Sequence, residues 1–401
     1  MKKRSLNHKL KGLIPFSKLR SLSLLSLMIP LGLLILGGLF FYFFSSKSSI
    51  PDKVGTHDHL FPGHAGTIVV DGGDNVTKEP SVLPTSDEFL KLGYTEQVRI
   101  IKTHSKSDPK QTWEYLKSAV INKNGEVVYG ANATTITAGG IDHYHIFGHM
   151  IGIELFRHYG FEGVKFCDGN FAYSCAHGVT EEAVRQKGVE NLSTLADMCI
   201  KIDPSGKESR DTGCLHGMGH GLMSLGGLNL NKALDQCEKL GLKNPGHTQA
   251  CYDGVFMEHT LSAPRNVIDE KNASQFCSSF KSDSQFYCNF YLPFLLKSKG
   301  LTTQKIYTIC TNLPNDENNK QACFNGIYGT IGFSSKGDRQ VIRTECAAFQ
   351  DKGDINNCLI GAAGEVMYQR FVKWKDTVTS ICSQVYPDGS CPLYTFFEKR
   401  H

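Results

Sequence analysis

The segment Cys214-Leu215-His216-Gly217-Met218-Gly219-His220 places a cysteine and two histidines at positions 0, +2 and +6. Four residues apart on a helix, His216 and His220 share one face and can grip one ion. The chain repeats the layout. His143-Tyr144-His145 leads to His149, with histidine in place of cysteine. Cys175-Ala176-His177 leads to Glu181, and Cys251-Tyr252-Asp253 leads to Glu258 at +7, with His259 beside it. Packed side by side, these segments form a polar column of His145, His149, His177, Glu181, His216, His220 and Asp253. Imidazoles and carboxylates suit a divalent transition metal such as Zn, Fe, Cu or Mn. Two facing pairs could hold one ion, and the whole set could hold two, as in two-metal catalysis. Glu182 and Glu258 are then candidate catalytic carboxylates that shuttle protons.

The chain carries its own control for this reading. The equivalent +2 and +6 pairs further on are Phe290 with Phe294, Asn325 with Gly329, Ile360 with Gly364, and Leu393 with Phe397. Histidines present only for packing have no reason to cluster in four adjacent segments and vanish from the next four. A metal-free acid/base or ligand-binding cleft is one alternative. A buried ladder of hydrogen-bonded histidines closed by Glu181 and Asp253 is another. Cys175, Cys214 and Cys251 could be thiolate ligands, but cysteines recur at the same place in segments without histidines, which favours disulfides. Gly217-Met218-Gly219 follows no strand, so it is not a dinucleotide fingerprint, and no Walker, Gly-x-Ser-x-Gly or haem-attachment motif occurs.

The elements that must position the column are periodic. Fourteen cysteines fall into seven successive pairs: Cys167 with Cys175, Cys199 with Cys214, Cys237 with Cys251, Cys277 with Cys288, Cys310 with Cys323, Cys346 with Cys358, and Cys382 with Cys391. First members are 32, 38, 40, 33, 36 and 36 residues apart. Each first cysteine ends an amphipathic run, and each second one opens a Gly-rich apolar run. A helical hairpin per repeat is the economical reading, with one disulfide tying the end of its first helix to the start of its second. Glycine stands three residues after the second cysteine in five of the seven repeats. A mid-helix glycine costs about 1 kcal/mol against alanine, so its recurrence points to close helix packing or to room left in a groove. The expected fold is all-α: helical-hairpin repeats as an α-solenoid or a closed α/α toroid, plus an N-terminal transmembrane helix.

This cysteine-stapled period resembles the Sel1-like, TPR-related repeats of secreted bacterial proteins over residues 167–391. The resemblance is one of architecture and carries no catalytic residue with it. The polar column is similar in layout to that of the HEAT-repeat di-iron hydroxylases, although their His-Glu dipeptides are absent here.

Residues 1–20 hold seven Lys or Arg and no acid, which leaves 36 basic against 39 acidic side chains in the remainder. A nucleic-acid-binding body would carry a basic excess. Residues 21–45 hold no charge and are long enough to span a bilayer, with the basic tail inside. A cleaved signal peptide is the alternative, but no small-x-small cleavage site follows the run. The expected plan is a cytoplasmic tail (1–20), an anchor (21–45), a linker (46–85), a helical cap (86–142) and a repeat domain (143–401). The linker holds His57, His59 and His64. Asn75, Asn132, Asn191 and Asn272 begin Asn-x-Ser/Thr triplets, which matter only in a glycosylating host. Fourteen cysteines, all beyond residue 166, agree with an oxidising, extracytoplasmic compartment. The expectation is a single-pass membrane protein whose outer domain is a metal-dependent oxidoreductase or hydrolase acting on an unknown substrate. The competing expectations are a metal-free scaffold for a protein or peptide partner, and a carbohydrate-processing toroid.

Overall fold

Thr85 opens the first helix of the computed structural model, α1 (Ser86–Lys91), with a capping box: the Glu88 carboxylate accepts from Thr85 N at 2.8 Å while Thr85 Oγ1 accepts from Glu88 N. After α2 (Tyr94–Ser107), α3 (Pro109–Val120) starts on an Asp108 cap with proline in its first turn. Asn122 to Gly125 form the expected turn, closed by Gly125 at φ +73°. The structure describes residues 82–129, 143–202, 210–262, 268–314 and 316–394, all within one compact unit, Leu60–His401. The expected anchor (21–45), His57, His59, His64, Asn75, Asn132 and Phe397 lie outside the described residues. No helix among those described is long and apolar enough to cross a membrane.

From His143 onward every regular element among the described residues is a helix, and hairpins follow one another. Helix α4 (His143–Tyr159) and a 3-10 stretch (Gly160–Phe166) lead to α5 (Ser174–Lys187). Five outer–inner pairs follow: α6 (Leu192–Ile202) with α7 (Arg210–Leu225), α8 (Leu230–Lys239) with α9 (Pro245–Ser262), α10 (Ala273–Ser278) with α11 (Ser282–Ser298), α12 (Thr303–Thr311) with α13 (Glu317–Ser335), and α14 (Arg339–Cys346) with α15 (Lys352–Gln369). Helix α16 (Trp374–Val385) completes the series.

All seven disulfides form in the expected pairing. Cys167 bonds to Cys175 in the first turn of α5, and Cys382 bonds to Cys391 at the end of the series. The other five join an outer helix to its inner partner: Cys199 to Cys214, Cys237 to Cys251, Cys277 to Cys288, Cys310 to Cys323, and Cys346 to Cys358. Cα–Cα distances across the seven run from 5.4 to 5.8 Å, so each staple sets its two chain segments at one spacing. All the paired cysteines are buried, so none of them is a thiolate ligand.

Outer helices are amphipathic, as α8 shows by burying Leu230, Ala233, Leu234 and Cys237 at helical spacing. Inner helices bury most of their circumference, α4 from His143 through Gly152 without a break. They pack side by side in the order α4, α5, α7, α9, α11, α13, α15. The recurrent glycines permit that approach. A Cβ on Gly178 would collide with the His149 carbonyl, and one on Gly254 with that of His216. The two ends of the series also meet. Val127 N donates to Arg370 O at 2.9 Å, Lys373 N donates to Glu126 Oε1 at 3.2 Å, and the Tyr129 ring lies 5.8 Å from that of Phe371.

Candidate metal centre

Three adjacent inner helices, α4, α5 and α7, bring five histidines together. One nitrogen each from His145, His149 and His177 lies within 4.8 Å of the others, and the same holds for His177, His216 and His220. His177 belongs to both triads. All five are buried, the most exposed being His216 at 9%. Helix α5 sits between α4 and α7, so His177 stands between the two pairs, its ring 4.6 Å from that of His216 and 5.3 Å from that of His145.

Hydrogen bonds fix where the protons are. His145 Nδ1 lies 2.8 Å from the Phe171 carbonyl oxygen, which can only accept. His216 Nδ1 lies 2.8 Å from Asp253 Oδ2, and His220 Nδ1 lies 2.9 Å from Glu258 Oε2. Burial alone would raise the Glu258 carboxyl. Hydrogen bonds from His220 and Ser262 outweigh it and hold that carboxyl below the usual carboxylate range. Each of these imidazoles therefore spends its proton on Nδ1 and leaves Nε2 as a lone pair.

Those lone pairs point at one another. His216 Nε2 and His220 Nε2 are 3.0 Å apart, and Met257 Sδ is 3.3 Å from His216 Nε2. With both protons on Nδ1, two acceptors thus face His216 Nε2, itself an acceptor, and a cation placed there would relieve their repulsion. Burial pushes the His220 pKa below its ordinary value against the pull of its bond to Glu258, which disfavours an extra proton on that ring. A metal ion would suit these acceptors, and Asp253 and Glu258 would then be the outer carboxylates that orient ligating histidines. His145 Nε2 and His149 Nε2 are likewise 3.1 Å apart. This pair is less constrained. Burial, helped by Glu258, pushes Glu181 up to about 8, so its carboxyl can itself carry the proton shared with His149 Nδ1 at 3.2 Å. Burial pushes His145 and His177 well below the ordinary histidine pKa, and His177 Nδ1 is buried without a hydrogen-bond partner among the described residues. An orphaned nitrogen where two triads meet fits a ligand position.

The centre opens onto a cavity of about 510 Å³. His145, His177 and His216 line it, together with Asp253 and Met257, while His149 and His220 stand behind them. The lining is also aromatic and includes Phe290, Tyr291 and Phe294. Two expectations change here. Glu182 does not face the cavity: Arg157 Nε holds it at 3.0 Å and Arg185 Nε at 2.6 Å, and these bonds keep its carboxyl low against the pull of burial. Glu258 is committed to His220 and Ser262 and does not line the cavity either. Neither is placed to exchange a proton with a molecule in the cavity. Glu181 and Asp253 orient histidines rather than converge with them. His259 lies outside the cluster, stacked 5.7 Å from Phe276, and burial pushes its pKa to about 4. His158 is exposed and bonds the Lys106 carbonyl.

Two residues escape the sequence pattern. Met257 stands at +6 after Cys251, the register of His149, Glu181 and His220, where only titratable types drew notice. Glu365 lines the cavity from α15 at +7 after Cys358, the offset of Glu258 after Cys251. No known family model, curated protein or solved structure matches the chain, so its likeness to Sel1-like repeats and to HEAT-repeat hydroxylases remains one of layout.

Proposed function

We propose that this protein is a metal-dependent oxidoreductase whose histidine centre is displayed outside the cytoplasm on an N-terminal membrane anchor. The observation that carries the metal is the facing Nε2 pair of His216 and His220, with both Nδ1 atoms held by carboxylates. Met257 supports copper in that triad, because a thioether beside imidazoles is a soft donor set that zinc and manganese do not favour. A bound copper ion would supply one-electron chemistry at the cavity wall. The chain's own part is to hold His177 and His216 open to the cavity, to fix both tautomers through Asp253 and Glu258, and to keep water from the back of the centre with buried His149 and His220. The meeting of residues 126–129 with 370–373 supports a closed α/α toroid around that cavity. Seven formed disulfides and the uncharged stretch 21–45 support the location.

The first triad, three imidazoles without sulfur, also suits zinc and its bound water, which would favour hydrolysis instead. Elemental analysis of the full chain, purified with disulfides intact, separates these readings. The expected result is stoichiometric copper that is lost in the His216→Ala/His220→Ala double variant. Zinc alone would favour the hydrolase, and no stoichiometric metal would sink the proposal.

A further inference from the structure

We propose that the cavity beside the histidines binds a small aromatic amine, its ring among Phe290, Tyr291 and Phe294 and its ammonium group against Glu365. The binding stands apart from the metal; that the bound molecule is the substrate rests on the oxidoreductase reading.

The +2 residues of six successive inner helices line one cavity, and their chemistry changes along the series. They are His145, His177, His216 and Asp253 on one side, then Phe290 and Asn325. The aromatic side is a built surface. The rings of Phe290 and Tyr291 are 5.1 Å apart, and those of Tyr291 and Phe294 are 6.0 Å apart. Such spacing offers edges and faces to a further ring. At about 510 Å³, the space is in the range of small-molecule pockets.

Charge narrows the class. Among the described residues, the lining holds two carboxylates, Asp253 and Glu365, and no Lys or Arg. Asp253 is committed to His216 and to the Tyr291 hydroxyl at 2.9 Å. Glu365 has one hydrogen bond among the described residues, from Gln369 Nε2 at 2.7 Å, and no ion pair. Burial pushes its pKa up to about 7, the mark of a carboxylate that lacks a compensating cation. An ammonium group supplies that cation, and surrounding aromatic faces add to its attraction. An anionic ligand would meet an uncompensated carboxylate and the negative faces of the rings.

The test is calorimetric titration of the full chain at pH 8 with 2-phenylethylamine, 2-phenylethanol, 3-phenylpropionate and hexylamine. Each runs on chelator-treated and on metal-loaded protein. The expected result is binding of the aromatic amine to both preparations, at least tenfold tighter than the alcohol or hexylamine, and no binding of the carboxylate. Glu365→Gln, nearly isosteric and checked for folding by circular dichroism, should weaken the amine at least tenfold and leave the alcohol unchanged. Phe290→Ala should weaken both. An amine no tighter than the alcohol, or a Glu365→Gln protein that binds it equally well, overturns the proposal. Hexylamine binding equally well overturns its aromatic part. Amine binding in a protein without stoichiometric metal would sink the metal centre alone, and metal without amine binding would sink this inference alone.

Discussion

Glu258 offers the sharpest test of the centre, because it would touch no metal itself and would act through the proton on His220. Both side chains are buried, at 3% and 1% exposure, and the bond between them is 2.9 Å. In Glu258→Gln the amide oxygen can still accept from Nδ1–H, so the tautomer survives while the charge is lost. Second-layer changes of this kind weaken metal binding about tenfold, which is about 1.4 kcal/mol. In Glu258→Ala the buried imidazole N–H loses its acceptor, at about 1 to 3 kcal/mol of stability. The ring is also free to move its proton to Nε2, which removes the lone pair the ion needs, and the expected loss rises to about a hundredfold. Competition against a chromophoric chelator at pH 7.5 gives the affinities, and urea unfolding gives the stability. The order should be wild type, then glutamine, then alanine. A folded Glu258→Ala protein that binds metal within twofold of wild type would refute the tautomer argument.

Met257→Leu conserves volume and should cost less than about 1.5 kcal/mol, yet weaken copper(I) about tenfold and leave zinc unchanged; equal copper(I) affinity would remove the thioether from the centre. Gly254→Ala drives a Cβ into the His216 carbonyl, so denaturant unfolding should show a loss of about 1 to 3 kcal/mol, and an unperturbed protein would mean that α7 and α9 can part freely. Replacing Cys237 and Cys251 by alanine opens a link with a sequence separation of 14, worth about 3 kcal/mol in the loop-entropy model and measured the same way; a change under 1 kcal/mol would show it to be dispensable. Glu365 has its folded pKa raised from 4.5 to about 7, so the folded chain binds more protons than the unfolded one between those values. Stability should therefore fall as pH rises from about 4.5 to about 7 and level off above, by at most about 3 kcal/mol since water in the cavity softens the cost. Glu365→Gln should flatten that part of the pH profile, and an identical profile would place the carboxyl in ordinary solvent.

The scaffold was legible because covalent spacing leaves a strong trace. Seven cysteine pairs at a near-constant period define hairpins whatever the loops do, and a capping box at Thr85 marks a helix start by itself. The pairs Cys277 with Cys288 and Cys310 with Cys323 close on repeats that hold no histidine, which separates the scaffold's cysteines from the site. The histidine column was legible for a related reason, since equivalent positions in stacked hairpins must share a surface. What the sequence could not show is which polar atoms converge as candidate ligands and which are spent on one another. His216 and Asp253 look alike in a register count, yet one offers a lone pair and the other only holds a ring in place. Met257 was hidden by its type. Glu365 was hidden by its offset, and by the assumption that repeats without histidines stand outside the site. Phe290 and Phe294 correct that assumption: they hold the same register as the histidines and line the same cavity.

The meeting of residues 126–129 with 370–373 has a mechanical side. No disulfide spans more than 15 residues, so each stiffens only its own neighbourhood. None ties the first inner helix to the last. A hairpin array stapled in this way resists melting repeat by repeat, yet among the described residues its two ends are held by the Val127–Arg370 backbone bond, the Lys373–Glu126 bond and the Tyr129 ring against Phe371 and Lys336. Under load the molecule should part at this seam, as a bracelet opens at its clasp, before any link of the chain gives way.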